Sequence, residues 1–258
     1  MKRVFYYIAF GIVTLVATSC GKEDNYPAPS ETVRGNIVDA ATGRNLQGEV
    51  SGESGTTATG TRIKMLELSW SDNPTPFYIG TKQDGSYNNT RVFKGRYKMS
   101  AEGPFVSLVQ TGATPVDNSQ TVEVKGGVTT VNFQVEPLLR IEWVGEPVLN
   151  PNGSVTVQVR VTRGTANPAF LGNVTDIDLF LSNTKYVGSN NFDNRFSTRR
   201  SYSGTTGNDV LGQTLTITTT GVLPGKRNHY LRVGARTALT VDGQRLYNYN
   251  EPKMITIP

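Results

Sequence analysis

The sequence predicts an all-β protein built of two tandem β-sandwiches behind a cleaved signal peptide. Apolar and polar side chains alternate in most segments after residue 30 with the period of two that is typical of strands. Beyond residue 19, no capped stretch of ten residues follows the helical period, and 27 glycines indicate many turns. Removing the first 19 of the 258 residues leaves 239, which suit two domains of ordinary size.

The N-terminus has the pattern of an export signal. Residues 4–16 carry no charge and follow Lys2 and Arg3. This apolar run is shorter than the roughly 20 residues that span a bilayer, and its length suits the apolar region of a signal peptide. We therefore assign residues 1–19 to a signal peptide.

Cys20, the only cysteine, directly follows the small residues 17–19 and has no disulfide partner within the chain. Its position resembles a lipobox, in which the signal is cleaved before a cysteine that becomes acylated. Residues 22–24 (Lys, Glu, Asp) resemble the signal that directs Bacteroidetes lipoproteins to the outer face of the outer membrane. We expect lipidation at Cys20, anchoring to the outer membrane facing the cell exterior, and a flexible tether over residues 20–30. An ordinary secretory signal with an incidental cysteine is the alternative.

The charge of the chain argues against a nucleic-acid partner. Loss of Lys2 and Arg3 leaves 24 basic residues against 21 acidic ones. The longest basic runs are the pairs Arg199-Arg200 and Lys226-Arg227. A nucleic-acid-binding domain would show a concentrated basic patch, so we expect no nucleic acid.

The alternating segments fall into two groups, which predict sandwiches over residues 31–136 and 137–258. Residues 136–140 form a short, stiff junction, since a proline ends the preceding ladder. The runs around Lys125-Gly126-Gly127 predict a hairpin, and the 51–61 stretch, rich in Gly and Thr, predicts a mobile surface loop. The predicted strands are 32–38, 62–68, 77–81, 97–101, 121–124, 128–135, 155–161, 176–182, 215–219, 230–235 and 254–257.

The first half carries an ordered set of turn residues. The positions are Gly35, Asp39, Thr42-Gly43, Asp84-Gly85-Ser86-Tyr87 and Gly95-Arg96-Tyr97. Glycine permits positive φ in tight turns, aspartate can accept bonds from nearby amides, and tyrosine can bury its ring against a sheet. The pattern resembles the carboxypeptidase regulatory-like, or transthyretin-like, β-sandwich family, whose members attach to enzymes without being catalytic.

The second half resembles a fibronectin type III or immunoglobulin-like sandwich at a corner followed by a strand. The matching residues are Leu223, Pro224-Gly225, Tyr230, Arg232, Val233 and Ala235. In that fold the tyrosine packs over the corner and bonds its backbone. The whole arrangement resembles the DUF3823 lipoproteins of Bacteroidetes, which implies a role in glycan capture by outer-membrane transporter systems.

The sequence offers little support for catalysis, a cofactor or a metal. His229 is the only histidine and lies at the start of a predicted strand, where a structural role is favoured over a catalytic one. Asp176 and Asp178 share one face of a strand, and we interpret them as exposed strand residues rather than calcium ligands, which would need further oxygens at loop spacing. Paired glycosidase carboxylates from distant loops stay an open alternative. We expect a protein that is not an enzyme.

Aromatic and polar side chains that could bind glycan concentrate in residues 70–78, 183–202 and 246–250. Sugar rings stack their C–H faces on aromatic rings, and their hydroxyls bond amide, carboxylate and guanidinium groups. The alternative is that these aromatics plug the open ends of the sandwiches, and we assign Trp143 to the core. The candidate glycan-binding residues are Trp70, Phe77, Tyr78, Tyr186, Phe192, Arg195, Phe196, Tyr202, Tyr247 and Tyr249.

Together these features predict a non-enzymatic, lipid-anchored surface protein that serves a glycan uptake system. Its expected partners are a polysaccharide or oligosaccharide, an outer-membrane transporter and other glycan-binding lipoproteins. A tether would hold its sites near the transporter and raise the local glycan concentration. The alternative is a structural adaptor that docks on other surface proteins and binds no glycan.

Overall fold

The computed structural model describes residues 27–50, 53–54 and 57–258. The predicted signal peptide, the lipidation site Cys20 and most of the 20–30 tether lie outside the described residues. Four residues of the predicted 51–61 loop (51, 52, 55 and 56) also lie outside them. In the described part of this loop two short strands pair, and Ala58 is buried.

The first half of the chain is all-β, as predicted. Its strands include β6, which lies over the Asp84–Tyr87 motif and was not among the predicted strands. They are β1 (Glu31–Asp39), β2 (Glu53–Ser54), β3 (Thr57–Ala58), β4 (Arg62–Glu67), β5 (Phe77–Gly80), β6 (Ser86–Val92), β7 (Gly95–Glu102), β8 (Val109–Gln110), β9 (Val116–Asp117), β10 (Gln120–Val124), β11 (Val128–Thr130) and β12 (Phe133–Val135).

Two four-stranded sheets form this N-terminal sandwich. In one sheet β1 lies antiparallel to β6 and, along its other edge, parallel first to β11 and then to β12. The facing sheet is antiparallel, in the order β10-β7-β4-β5. Alternate side chains of both sheets meet in one core, which includes Val33 and Ile37 of the first sheet and Ile63, Met65 and Met99 of the second.

The predicted hairpin around Lys125-Gly126-Gly127 is wrong. β10 pairs with β7, whereas β11 pairs with β1 in the opposite sheet, so the turn joins the two sheets. Gly126 and Gly127 have φ values of 76° and 105°, and the Gly127 amide donates to the Glu31 carboxylate at 2.6 Å. This bond holds the turn beside β1. A turn with two glycines can join neighbouring strands of one sheet or strands of two facing sheets. The sequence therefore predicted the turn but not which strands pair on either side of it.

Position 35 requires a glycine because the backbone of another segment lies very close to it. The motif instead predicts a glycine with positive φ, which Gly35 does not have. A Cβ atom at Gly35 would lie 1.7 Å from the carbonyl oxygen of Val131. That oxygen accepts a hydrogen bond from the Tyr87 hydroxyl at 2.6 Å. The Val131 peptide lies between β11 and β12 and fills the space that a side chain would need.

Gly95 likewise lacks the predicted positive φ, and a Cβ atom there would lie 2.7 Å from Oε1 of Glu67. The motif residues that follow act as predicted. Asp39 and Asp84 each accept a hydrogen bond at 3.0 Å from the amide two residues further on. Gly43 and Gly85 adopt φ values of 69° and 75°, which suit glycine in tight turns. The two tyrosines with buried rings are Tyr87 and Tyr97.

The second half is a second sandwich, which confirms the predicted fold class. Two short 3₁₀ helices, Pro168–Phe170 and Thr206–Asn208, interrupt its strands. The strands are β13 (Leu139–Trp143), β14 (Val148–Leu149), β15 (Val155–Arg163), β16 (Val174–Ser182), β17 (Thr214–Thr218), β18 (Arg227–Thr237), β19 (Asn248–Tyr249) and β20 (Lys253–Ile257).

Both sheets of the C-terminal sandwich are antiparallel. β15 lies between β17 on one edge and β13 with β14 on the other. β18 lies between β16 on one edge and β19 with β20 on the other. Side chains such as Val157, Val159, Ile177, Leu231 and Val233 form the core between the sheets. Trp143 packs against this core, as expected.

A histidine side chain bonds the backbone of the corner before β18, whereas the resemblance implied that a tyrosine would do so. The Nε2 atom of His229 lies 2.9 Å from the carbonyl oxygen of Pro224. His229 is buried, and the neighbouring Tyr230 packs partly buried on the other face of the strand, against the cluster around Phe180. Because side chains alternate along a strand, a shift of one residue puts His229 rather than Tyr230 over the corner.

Buried polar contacts join the two sandwiches at the 136–140 junction. The Asn248 side chain donates from Nδ2 to the Pro104 carbonyl at 2.9 Å and accepts from the Leu139 amide at 3.0 Å. The Arg140 guanidinium donates two hydrogen bonds to the Asp39 carboxylate, at 2.6 and 2.7 Å. Burial on its own raises the pKa of Asp39, but the bonds from Arg140 and the following turn outweigh it and lower the pKa.

Replacement of Gly35 by Ala should destabilise the protein by about 3 kcal/mol, because the new methyl group would overlap the Val131 peptide. Urea unfolding measures this change. Gly212→Ala is the control, since Gly212 has a φ of 78° and no neighbour within 4 Å of a new Cβ, and it should lose only about 1–2 kcal/mol. Equal losses at the two positions would contradict the close approach at Gly35.

Replacement of Asp39 by Asn should lower the free energy of unfolding at pH 7 by about 1–3 kcal/mol, because Arg140 loses its charged partner. The folded pKa of Asp39 is lowered, so its contribution is present above the unfolded pKa of about 3.9 and disappears as the pH falls through the folded pKa. Urea unfolding from pH 7 to pH 3 should show the two proteins converging. A constant difference would argue against the ion pair.

Candidate functional site

The sheet that contains β16 and β18 is buried on both faces. Its inner face belongs to the core, and its outer face carries Asp176, Asp178 and Phe180 of β16 beside Arg232 and Arg236 of β18. All of these are buried except Arg236, which is partly buried. Residues 183–202, here called the covering segment, begin over this outer face, where Val187 and Phe192 pack with Phe180. The segment then bonds the edge of β16 that lies away from β18. Buried charges require partners, and the covering segment, β18 and the residues around β19 supply them.

Asp176 and Asp178 are therefore not exposed strand residues, and that interpretation is wrong: their exposed fractions are 5% and 0%. Asp176 accepts a hydrogen bond from Arg236 at 2.8 Å. Asp178 accepts from the Tyr247 hydroxyl at 2.8 Å and from the Arg200 amide at 2.9 Å. Across residues 27–50, 53–54 and 57–258, no group of three or more His, Cys, Asp or Glu side chains could hold a metal ion.

The first half of the covering segment forms one wall of a cavity of about 310 Å³, here called the 183–196 pocket. Its other wall comes from the end of β16 and the corner before β18. The lining residues are Leu181, Ser182, Asn183, Asn191, Phe192, Asp193, Asn194, Arg195, Phe196, Pro224, Arg227 and His229.

Asp193 shapes the loop at the pocket. Its carboxylate accepts hydrogen bonds from the backbone amide of Arg195 at 3.0 Å and from the Arg195 guanidinium at 2.7 and 3.0 Å. These bonds lower the pKa of Asp193. The Asp193 amide donates to the Leu181 carbonyl at 2.7 Å, and this bond fixes the loop to the end of β16.

Several polar groups of the pocket have no partner. The side chains of Asn183, Asn194 and Arg227 make no hydrogen bond within the part of the chain that the structure describes. His229 bonds the Pro224 carbonyl through Nε2, so that nitrogen carries the hydrogen, and in the neutral ring Nδ1 is an acceptor. This buried Nδ1 atom finds no partner among the described residues. The exposed amides of Asn183 and Asn194 and the guanidinium of Arg227 are therefore available to a ligand, whereas Nδ1 of His229 is enclosed in the pocket wall.

Two of the predicted aromatic residues line the same pocket. Phe192 is half-buried and packs edge-on against Phe180, with ring centroids 5.3 Å apart. Phe196 is half-buried against the core, and the guanidinium of the predicted Arg195 lies 5.1 Å from its ring centroid. Three of the residues that the sequence suggested thus line one cavity in the structure.

The other candidates of the second half lie elsewhere. Tyr186 is 52% exposed and lies on the covering segment outside the pocket, with the Lys185 ammonium 5.2 Å from its ring centroid. Tyr202 packs against the core. Tyr247 and Tyr249 are buried, and their hydroxyls bond Asp178 and Glu49. Their rings face protein rather than solvent.

The three candidates of the first half lie in the N-terminal sandwich, and none of them lines the 183–196 pocket. Trp70 is 69% exposed. Phe77 packs against Tyr97 with ring centroids 6.0 Å apart. The ring of Tyr78 lies under the Arg62 guanidinium at 3.8 Å.

Sequence reasoning did not single out the asparagines or Arg227 of the pocket, and it assigned His229 a structural role. The asparagines were visible as part of a segment rich in aromatic and polar residues. Arg227 and His229 come from β18, more than 30 residues after the loop, and only the pairing of β16 with β18 brings them beside it. No local pattern could reveal this contact.

Comparisons with known proteins place the chain in a family. The family model described as "Protein of unknown function (DUF3823) N-terminal domain" matches residues 31–136. No curated protein matches the chain. Within the described residues, no helix has the length and apolar character needed to cross a membrane.

Three solved structures are similar over 89% of this chain and 100% of their own. A DUF3823 family protein from Bacteroides uniformis is 36% identical, with a TM-score of 0.79. Another protein from that organism, described as a proposed carbohydrate-binding protein, is 21% identical with a TM-score of 0.68. A DUF3823 family protein from Parabacteroides merdae is 20% identical with a TM-score of 0.62. On the identity to the first of these, the chain belongs to the DUF3823 family.

Proposed function

We propose that this chain is a non-enzymatic, lipid-anchored surface protein that binds a polysaccharide or oligosaccharide in the 183–196 pocket. One observation carries the proposal: the pocket brings three exposed polar side chains without hydrogen-bond partners beside a half-buried phenylalanine. Because these side chains are not engaged by the protein, they can bond the hydroxyls of a ligand in the pocket.

The chemistry of the pocket suits a sugar. Each sugar hydroxyl both donates and accepts, and the amides of Asn183 and Asn194 provide both functions. The guanidinium of Arg227 adds donors. The exposed ring of Tyr186, on the same segment, provides a second apolar surface for a longer chain.

One of the similar structures has been described in terms of the ligand class. The similar protein from Bacteroides uniformis is described as a proposed carbohydrate-binding protein, and it shares this fold across its full length. Its identity of 21% supports only a shared fold. The ligand class for this chain therefore rests on the pocket.

The proposed location follows from the sequence. Acylation of Cys20 would hold the protein at the outer face of the outer membrane, and the 20–30 tether would let it reach a transporter and other glycan-binding lipoproteins. In this arrangement, weak binding at one site suffices, because the tether keeps the site close to the transporter.

Affinity electrophoresis of residues 21–258 through gels that contain plant, host or microbial polysaccharides tests the proposal. We expect retardation by at least one glycan, and a dissociation constant about tenfold higher in the Asn183→Ala, Asn194→Ala double variant, which corresponds to about 1.4 kcal/mol. Both side chains are exposed and unbonded, so the fold should be unaffected.

Asn88→Ala and Trp70→Ala are the matched controls, because they remove an exposed asparagine and an exposed aromatic residue from the N-terminal sandwich. Both should bind as the wild type does. Loss of binding only in Trp70→Ala would move the site to that sandwich. Absence of retardation by any glycan would overturn the proposal in favour of the adaptor, which pull-down from outer membranes would then test.

A further inference from the structure

We infer that Glu49 and Gln83 of the N-terminal sandwich are positioning residues for the 183–196 pocket of the C-terminal sandwich. The inference rests on the proposed function. It assigns the first sandwich a role in binding, because two of its side chains hold the backbone of residues 185–190, which connects Asn183 to Asn191 at the pocket.

Gln83 holds the first part of this connection. Its Nε2 donates to the Lys185 carbonyl at 3.0 Å, and its Oε1 accepts from the Val187 amide at 3.0 Å. One side-chain amide thus satisfies a carbonyl and an amide on alternate residues, as a neighbouring strand would. The side chains of Lys185 and Tyr186 are exposed, so the bonds to Gln83 hold a part of the connection that packs little of its own side-chain surface.

Glu49 holds the second part. Its carboxylate is buried, with 3% of the residue exposed. It accepts hydrogen bonds from the Ser189 amide at 3.1 Å, from the Ser189 hydroxyl at 2.7 Å and from the hydroxyl of Tyr249. Burial, followed by the charge of Glu49, raises the pKa of Tyr249 far above its usual value, so the tyrosine hydroxyl remains a donor.

The Glu49 carboxylate also lies close against Gly188. A Cβ atom at Gly188 would lie 2.2 Å from the Oε1 atom of Glu49. The Gly188 amide also donates to the Asn191 carbonyl at 3.2 Å, and the Asn191 amide donates back at 3.1 Å. The carboxylate therefore rests against the turn that presents Asn191 to the pocket.

Arg232 of β18 also bonds the backbone of residues 185–190, from the sheet that they cover. It is fully buried and donates from Nη1 to the Val187 carbonyl at 3.0 Å and from Nε to the Asn250 carbonyl at 2.8 Å. Its guanidinium lies 4.2 Å from the ring centroid of Tyr249. Burial lowers its pKa to about 10, which leaves it charged at neutral pH and attracted to Glu49.

These contacts connect the docking of the two sandwiches to ligand affinity. If residues 185–190 were free to move, binding would have to order them, and that ordering would weaken the affinity. With Glu49 and Gln83 in place, Asn183, Asn191 and Phe192 are ordered before the ligand arrives.

Glu49→Gln tests the inference, because glutamine keeps the size of the side chain but not its charge or its second acceptor oxygen. We expect at least fivefold weaker binding of the retarding glycan. Backbone amides 187–190 should exchange hydrogen with solvent at least ten times faster, as measured by mass spectrometry on the full 21–258 protein. Gln83→Ala should give the same two changes and serves as the second variant if Glu49→Gln does not fold.

Asp39→Asn is the matched control, because it removes a different buried carboxylate that bonds the opposite sandwich. It should lower stability without altering glycan affinity or exchange at residues 187–190. Unchanged exchange in both Glu49→Gln and Gln83→Ala would overturn the inference whatever the ligand result. Equal losses of affinity in Glu49→Gln and Asp39→Asn would also overturn it, because general destabilisation would then explain the effect.

A protein that binds no glycan would fail the proposed function alone. Faster exchange at residues 187–190 in Glu49→Gln and Gln83→Ala, but not in Asp39→Asn, would still support the positioning role in that case. The two proposals are therefore separable.

Discussion

The arrangement of this protein depends on the burial of charged side chains on the outer face of the β16–β18 sheet. Asp176, Asp178 and Arg232 would face solvent in an ordinary sandwich, but here they are covered. A buried charge without partners costs several kcal/mol. The covering segment, the residues around β19 and the side chains from the N-terminal sandwich must therefore all be in place together. The covering segment also forms one wall of the 183–196 pocket. The bonds that hold this segment therefore also fix the lining of the pocket.

The sequence predicted the sheets better than their connections. Alternation predicted most of the long strands because burying one face requires a period of two. It failed at β16, where both faces are buried, and the two aspartates were assigned to solvent. It also failed at Gly126-Gly127, because turn residues determine a reversal of the chain but not the strand that pairs next. Gly35 illustrates a third limit, since its requirement comes from the Val131 peptide almost 100 residues away.

The candidate site was only partly predictable for a related reason. Composition identified the 183–202 segment, and Phe192, Arg195 and Phe196 of that segment do line the pocket. The same reasoning selected Tyr247 and Tyr249, whose rings are buried and bonded to carboxylates. An aromatic ring beside polar residues has the same local pattern whether it faces solvent or a buried charge. Only the tertiary contacts distinguish the two cases.

The bonds around Glu49 are better explained by positioning than by stability. A buried ion pair or polar cluster adds little net stability over apolar side chains of the same volume, because desolvation offsets the attraction between the charges. Its geometry is nevertheless demanding, since each acceptor must meet its donor at a fixed distance. Glu49 meets Ser189 and Tyr249 at once, and Gln83 meets two backbone groups of residues 185–187. Apolar side chains of equal contact area could slip past one another. The hydrogen bonds from Glu49 and Gln83 instead keep the backbone beside the pocket in one position.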